Sequence, residues 1–249
     1  MKIVVIIQAR MGSTRLPGKV MIELCGKTVL AHIISRIQTC KLIDEIVIAT
    51  TTNLIDDVIA QEAKRHGTKC FRGSEENVLE RYYLAAKEYK ADIIVRITSD
   101  CPLLDPELLS EMLTFYKSIT DKGGAIDYLS NTITRTYPLG LDIEIFTFTT
   151  LEKAFVKANK SYEIEHVTPY IEGHPEIFSL QNYKGSEDLS GYRLTLDTED
   201  DLKLISEVYD FLYKKDEDYF TRDKVIAFLK NKPDLVKLNA HVKQKTIED

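Results

Sequence analysis

The stretch KIVVIIQARMGSTRLPGK, residues 2–19, decides how the rest of the chain is read. Its first half, Lys2 to Ala9, is an apolar run rich in β-branched residues, the pattern of a strand buried on both faces. Its second half, Gln8 to Lys19, carries Arg10, Arg15 and Lys19 and no acid, with Gly12, Ser13, Thr14 and Gly18 among them. Glycines let backbone N–H groups turn inward, and three cations add charge, so the segment suits a phosphate group. Its place is informative, because open α/β sheets bind ligands at the carboxyl ends of their strands. The bland alternative is a solvated basic loop. Two familiar phosphate motifs do not fit. Gly12 and Gly18 stand one residue too far apart for a P-loop, Val20 follows Lys19 where Ser or Thr is needed, and no GxGxxG is present.

Outward from this segment the elements alternate. Periodicity predicts a helix over Val29–Gln38, with Leu30, Ile33, Ile34 and Ile37 on one face, and a strand over Glu45–Thr51. A helix over Asp56–His66 closed by Gly67, a strand over Lys69–Arg72 and a helix over Glu75–Tyr89 follow. Asp92–Thr98 reads as another buried strand ending in Ser99-Asp100-Cys101, and Asp105-Pro106 opens the next helix as N-cap and first helical residue. This order predicts an α/β fold with a mostly parallel sheet covered by helices on both faces.

The second half is more mixed. It predicts a half-exposed strand at Leu141–Phe148, a capping box at Thr149…Glu152 starting a helix towards Ala158, and a helix over Glu163–Gly173. Strands at Phe178–Tyr183 and Tyr192–Leu196 follow, then helices over Glu199–Tyr213 and Arg222–Asn231, with Lys243–Asp249 as a frayed end. The expected organisation is one domain over 1–249, with a mixed subregion inserted at about 133–183 and C-terminal helices from about 199.

Composition narrows the function. With 33 basic against 39 acidic residues, the net charge of −6 speaks against general binding to nucleic acid or an anionic membrane. The apolar run Ile3–Ile7 is too short to span a bilayer and no secretory leader opens the chain, so a cytoplasmic protein is expected. Cys25, Cys40, Cys70 and Cys101 are scattered without a CxxC pair, as in a reducing compartment.

Two carboxylates stand at strand ends on the same edge as the basic loop: Asp100, and Asp197 after Arg193-Leu194-Thr195-Leu196. Such a pair suits Mg²⁺, which takes one or two carboxylates together with phosphates and water. Asp100 equally suits a strand end before Pro102, Asp197 or Thr198 a helix cap, and Glu199-Asp200-Asp201 first-turn charge on a helix dipole. Asp142 and Glu144 share one strand face and could point into a cleft.

The run QARMGSTRLPGKV, followed by Gly26-Lys27 and His32, resembles the signature of cytidylyltransferases that make CMP-activated acidic sugars, the CMP-acylneuraminate and CMP-3-deoxy-octulosonate synthetases. RITSDCPLLDPELL (96–109), YPLGLDIEIF (137–146) and EHVTPYI (165–171) resemble the branch of the spore-coat polysaccharide biosynthesis protein F. The likeness runs from residue 1 to about Asp201. It implies a Rossmann-like nucleotidyltransferase fold of GT-A type, and a homodimer with the region around Ile133–Tyr183 at the interface. The activity implied is Mg²⁺-dependent joining of CTP to an anionic sugar or related acid, with release of pyrophosphate, in surface polysaccharide or glycan biosynthesis. Residues implied in nucleotide binding are Ala9, Arg10, Met11, Gly12, Ser13, Thr14, Arg15, Lys19, Thr50, Ser74 and Asp100. Arg10, Lys19 and Asp100 would serve catalysis and Asp100 and Asp197 would hold the metal. Asn131, Asp142, Glu144 and His166 would face the acceptor. Two other readings stay open: a GT-A-like glycosyltransferase with a nucleotide-sugar donor, and a nucleotide-binding partner without catalysis.

Overall fold

Strand β1 (Ile3–Gln8) lies in the middle of the sheet, hydrogen-bonded on both sides to parallel neighbours. Val5 sits opposite Ile46 of β4 (Glu45–Thr51) and Val95 of β6 (Ile93–Thr98). The computed structural model describes residues 1–215, 217 and 219–244. Its seven-stranded sheet runs β5-β4-β1-β6-β8-β7-β9, with β5 (Lys69–Gly73), β4, β1 and β6 parallel. β8 (Glu144–Thr147) is antiparallel to β6 and to β7 (Tyr128–Ser130), and β9 (Leu180–Asn182) runs parallel to β7.

The alternation along β1 builds two cores. Ile3, Val5 and Ile7 face α1 (Val29–Gln38), α2 (Asp57–Arg65), α4 (Pro106–Thr120), α8 (Glu199–Leu212) and α9 (Arg222–Lys230). Val4 and Ile6 face α3 (Val78–Glu88) and α5 (Phe148–Lys157). Val4 to Ile7 are fully buried, and each such side chain stabilises the fold by about 1.5–3 kcal/mol relative to exposure. The expected mostly parallel α/β sheet with helices on both faces is what forms. Among the described residues no helix is long and apolar enough to cross a membrane.

Several boundaries differ from the sequence reading. α3 starts at Val78 rather than Glu75, because Asn77 accepts from Glu80 N (2.8 Å) and caps it, while Ser74 closes a turn on Asn77 N. Thr147 caps α5 in place of the Thr149…Glu152 box. The helix expected over Glu163–Gly173 is two short ones, α6 (Ser161–His166) and α7 (Pro169–Glu172). Val167 between them has φ of 73°, and Pro169 brings no N–H to continue the first. Only Glu144–Thr147 of the expected 141–148 strand pairs, since the buried Asn131 side chain takes Leu141 O (2.7 Å) and Ile143 N (3.0 Å).

Tyr192–Leu196 makes a single bridge, Leu139 to Arg193, instead of a strand. Gly140 (φ 102°) lets the two segments touch, since a Cβ there would lie 2.5 Å from Leu194 C. A small hairpin of β2 (Glu23–Leu24) and β3 (Lys27–Thr28) and a last helix, α10 (Pro233–Lys237), have no counterpart in the sequence reading. Of the expected frayed end, residues 245–249 lie outside the described residues.

Candidate active site

The carboxyl ends of β1 and β6 open into one cleft, and the basic loop forms its rim. The loop is pinned from inside. Met11 N donates to Asp56 Oδ1 (2.7 Å), while Asp56 also accepts from the Thr51 hydroxyl at the end of β4. Met11 O in turn accepts from Ser13 N (2.9 Å) and Gly18 N (3.0 Å), and Gly18 adopts the left-handed φ of 69° that closes the turn. No hydrogen bond among the described residues uses the N–H of Gly12, Thr14 or Arg15. These residues line the cleft, so the loop offers donors as well as charge.

At the floor, Lys19 Nζ donates to Asp100 Oδ2 (2.9 Å) and Asp197 Oδ1 (2.7 Å). Arg15 Nη2 lies 3.0 Å from Asp197 Oδ2. Burial works against charging Lys19, but the two carboxylates outweigh it and raise its pKa above the ordinary lysine value. Asp100 is the mirror case: burial would raise its pKa, and Lys19 together with the Thr98 hydroxyl brings it below the usual aspartate value.

Asp197 is held from behind. Arg193 Nη2 donates to Asp197 Oδ2 (3.0 Å), and Arg193 Nε donates to Asp201 Oδ1 (2.8 Å). The fully buried Asp201 also accepts from Asp197 N, Thr198 N and Asn239 Nδ2. Asp201 is therefore not exposed first-turn charge: it closes a capping box with Thr198 and fixes the arginine that orients Asp197.

The cleft encloses about 400 Å³ and brings Ala9, Arg10, Gly12 to Arg15, Lys19, Asp100, His166 and Asp197 to one wall. Burial, the largest influence, lowers the His166 pKa, with Glu165 opposing and Arg96 assisting, which keeps the ring neutral near pH 7. Three expected residues lie elsewhere. Met11 packs against the core, Thr50 is fully buried, and Ser74 is engaged in its turn outside the cleft wall. Asn131, expected at the acceptor, is fully buried and lines neither cavity, its amide being consumed by the Leu141–Ile143 backbone. The structure adds Val78, Arg81 and Glu165 to the wall and Arg193 behind it. Arg193 sits in an alternating apolar run and reads in sequence as a solvent-facing strand residue.

Asp142 and Glu144 line a second cavity of about 200 Å³ with Arg96, Thr98, Thr132 and Arg135, and Thr98 borders both spaces. Arg135 donates to both Asp142 oxygens, 2.5 and 3.0 Å. Arg96 pairs with Glu144, whose Oε1 also accepts from the hydroxyls of Tyr128 (2.6 Å) and Thr168 (2.7 Å).

Among the described residues no group of three or more His, Cys, Asp and Glu stands together as a ready metal cage. The donor set still fits Mg²⁺, since Asp100 and Asp197 already share one cation, the Lys19 ammonium, and this ion takes remaining ligands from phosphates and water.

Comparison with known proteins agrees with the geometry. A family model described as cytidylyltransferase matches residues 4–226. An uncharacterised protein of Methanocaldococcus jannaschii is 39% identical over 253 residues, covering 100% of this chain and 99% of its own. The spore coat polysaccharide biosynthesis protein SpsF of Bacillus subtilis is 34% identical over 239 residues, covering 93% of this chain and 95% of its own. The structure of a cytidylyltransferase from Leptospira borgpetersenii superposes with a TM-score of 0.89 at 36% identity, covering 99% of this chain and 100% of that one. The basic loop, the paired aspartates and these likenesses together show that the chain belongs to the cytidylyltransferase family of CTP-dependent nucleotidyltransferases, on the branch that includes SpsF.

Proposed function

We propose that this enzyme transfers a cytidylyl group from CTP to an oxygen of an anionic sugar or related acid, with Mg²⁺, in polysaccharide or glycan biosynthesis. The acceptor oxygen attacks the α-phosphorus, the bond from that phosphorus to the bridging oxygen of the β-phosphate breaks, and pyrophosphate leaves. The observation that carries this reading is the Lys19 ammonium bridging Asp100 and Asp197 beneath a loop of unused N–H donors. Arg10, Arg15 and Lys19 hold the triphosphate and offset the charge that grows on the leaving pyrophosphate. Asp100 and Asp197 would hold Mg²⁺, which would supply charge neutralisation on the phosphate oxygens. Arg193 and Asp201 keep Asp197 in place. Ala9 and the amides of Gly12 to Thr14 line the path of the nucleotide. His166 and the cavity of Asp142 and Glu144 meet the acceptor.

The reaction is further proposed to run in the cytoplasm in a homodimer. The first is supported by the four free cysteines and the second by the family likeness. The test is pyrophosphate release from CTP, UTP, ATP and GTP with Mg²⁺, against a panel of anionic sugars, sugar phosphates and phosphonates. CTP-selective release with an acceptor is expected. Transfer of a sugar from a nucleotide-sugar donor without pyrophosphate release would overturn the proposal.

A further inference from the structure

Asp197 is reached by two arginines on one oxygen and by Lys19 on the other. Its Oδ2 lies 3.0 Å from Arg15 Nη2 and accepts from Arg193 Nη2, which leaves Oδ1 to share the Lys19 ammonium with Asp100. The orientation of the carboxylate is thus set by where the two guanidinium groups are held. Arg193 is only 8% exposed, and a guanidinium has five N–H donors to place. Nε and Nη2 grip Asp201 side-on, at 2.8 and 3.0 Å, and Nη2 also reaches Asp197. On the opposite edge Nη1 donates to Gln244 Oε1 (2.9 Å), its only acceptor among the described residues.

Gln244 belongs to a segment that follows α10 and returns to this centre. Val242 N donates to Asn239 O (3.0 Å) and turns the chain. Asn239, only 2% exposed, spends both N–H groups of its amide here, donating to Asp201 Oδ1 (2.8 Å) and to Arg193 O (3.0 Å). Lys243 O accepts from Arg15 Nη1 at 3.4 Å. The segment thus commits a pair of donors, a side-chain acceptor and a carbonyl to groups that converge on Asp197. Hydrogen bonds to charged partners are stronger than neutral ones and fix direction.

We infer that Asn239 and Gln244 are positioning residues of the active centre, which hold Asp197 in the orientation that suits Mg²⁺ by acting through Arg193 and Asp201. This rests on the function proposed above and adds the segment 239–244 to the site. Neither side chain lines the cleft, so each acts through the arginine rather than on the substrate. Without the Gln244 acceptor, Nη1 turns to another partner, the fork tilts about its grip on Asp201, and Asp197 follows. Without Asn239, Asp201 and the Arg193 backbone are released together, and the effect is larger.

The test is calorimetric titration of Mg²⁺ into the full chain loaded with CTP and freed of excess, beside CTP binding in EDTA and thermal unfolding. The variants are Gln244→Met, which keeps the length without the amide oxygen, Gln244→Glu, which keeps an acceptor, and Asn239→Ala. Because Gln244 is exposed, its variants should unfold at the wild-type temperature. Loss of an outer partner of a metal ligand costs about 10–100-fold in metal affinity, and these residues stand one step further out, so Mg²⁺ affinity should fall about threefold in Gln244→Met and about tenfold in Asn239→Ala. Gln244→Glu should bind Mg²⁺ as the wild type does, and CTP binding in EDTA should be unchanged throughout. Wild-type Mg²⁺ affinity in Gln244→Met overturns the inference, whatever the stability of Asn239→Ala. An equal loss of CTP binding in EDTA also overturns it, since the segment would then support the cleft in general. A Gln244→Glu chain that loses Mg²⁺ affinity as Gln244→Met does would remove the hydrogen bond to Arg193 as the cause. A wild-type chain that binds neither CTP nor Mg²⁺ defeats the proposed function itself, whereas a normal metal response in folded variants defeats only the role of the segment.

Discussion

The cleft at the end of β1 and the smaller cavity beside β8 use the same residue types in opposite ways. At the first, charges are shared: one Lys19 ammonium serves Asp100 and Asp197, and Asp197 is contacted by Arg15 and Arg193 as well. At the second, charges are private: Arg96 belongs to Glu144 and Arg135 to Asp142. A shared partner can be exchanged for another ion without leaving a buried charge alone, whereas a private pair cannot. The first arrangement suits binding and release of a polyanion with its counter-cation. The second suits a fixed wall that shapes an acceptor through polar contacts.

Substitutions sharpen this contrast, and the largest effect is expected at the shared centre. Asp100→Asn should lower turnover by about 10³-fold, roughly 4 kcal/mol of transition-state stabilisation, with the unfolding midpoint little changed. Near-normal turnover in that variant would remove Asp100 from the metal site. Next comes Glu144→Gln, where breaking a buried pair should cost about 3 kcal/mol in a urea unfolding experiment. Unaltered stability would show that this pair is no more private than the Lys19 bridge.

Lys19→Ala should weaken CTP binding and turnover by about 2 kcal/mol while affecting CMP less, since the lost contact is to the outer phosphates. Equal losses for CTP and CMP would count against that role. Asp142→Asn should change stability by about 1 kcal/mol or less, because its pair with Arg135 is partly exposed. Its expected signature is a raised KM for the acceptor with CTP binding intact, and a change confined to CTP would exchange the functions of the two cavities.

Sequence pattern reaches the parallel half of the fold and the shared centre more readily than the rest, for physical reasons. The strands β1, β4 and β6 are continuous apolar runs, and α1 has a clean apolar face, so local pattern and burial agree. Asp100 and the basic loop are visible because they stand at the ends of such runs. What escapes is long-range. Asn131 is claimed by backbone ten and twelve residues away, which shortens β8 and keeps the side chain out of both cavities. Arg193 and Asp201 pair with each other eight residues apart, and Asn239, brought from 38 residues beyond Asp201, completes their burial. Arg81 reads as one more polar position on an amphipathic helix, and only burial without a counter-charge distinguishes it. Val167, at φ 73°, breaks a helix that periodicity alone would continue.

The most direct test of the account is to follow labelled CTP through one turnover with Mg²⁺ and an accepted acid. Label on the α-phosphate should appear in the acceptor product and label on the β- and γ-phosphates in pyrophosphate, in equal amounts, with both lost in Asp100→Asn. Label from the γ-phosphate on the acceptor, or product formed equally well by Asp100→Asn, would contradict cytidylyl transfer at the Lys19, Asp100 and Asp197 centre.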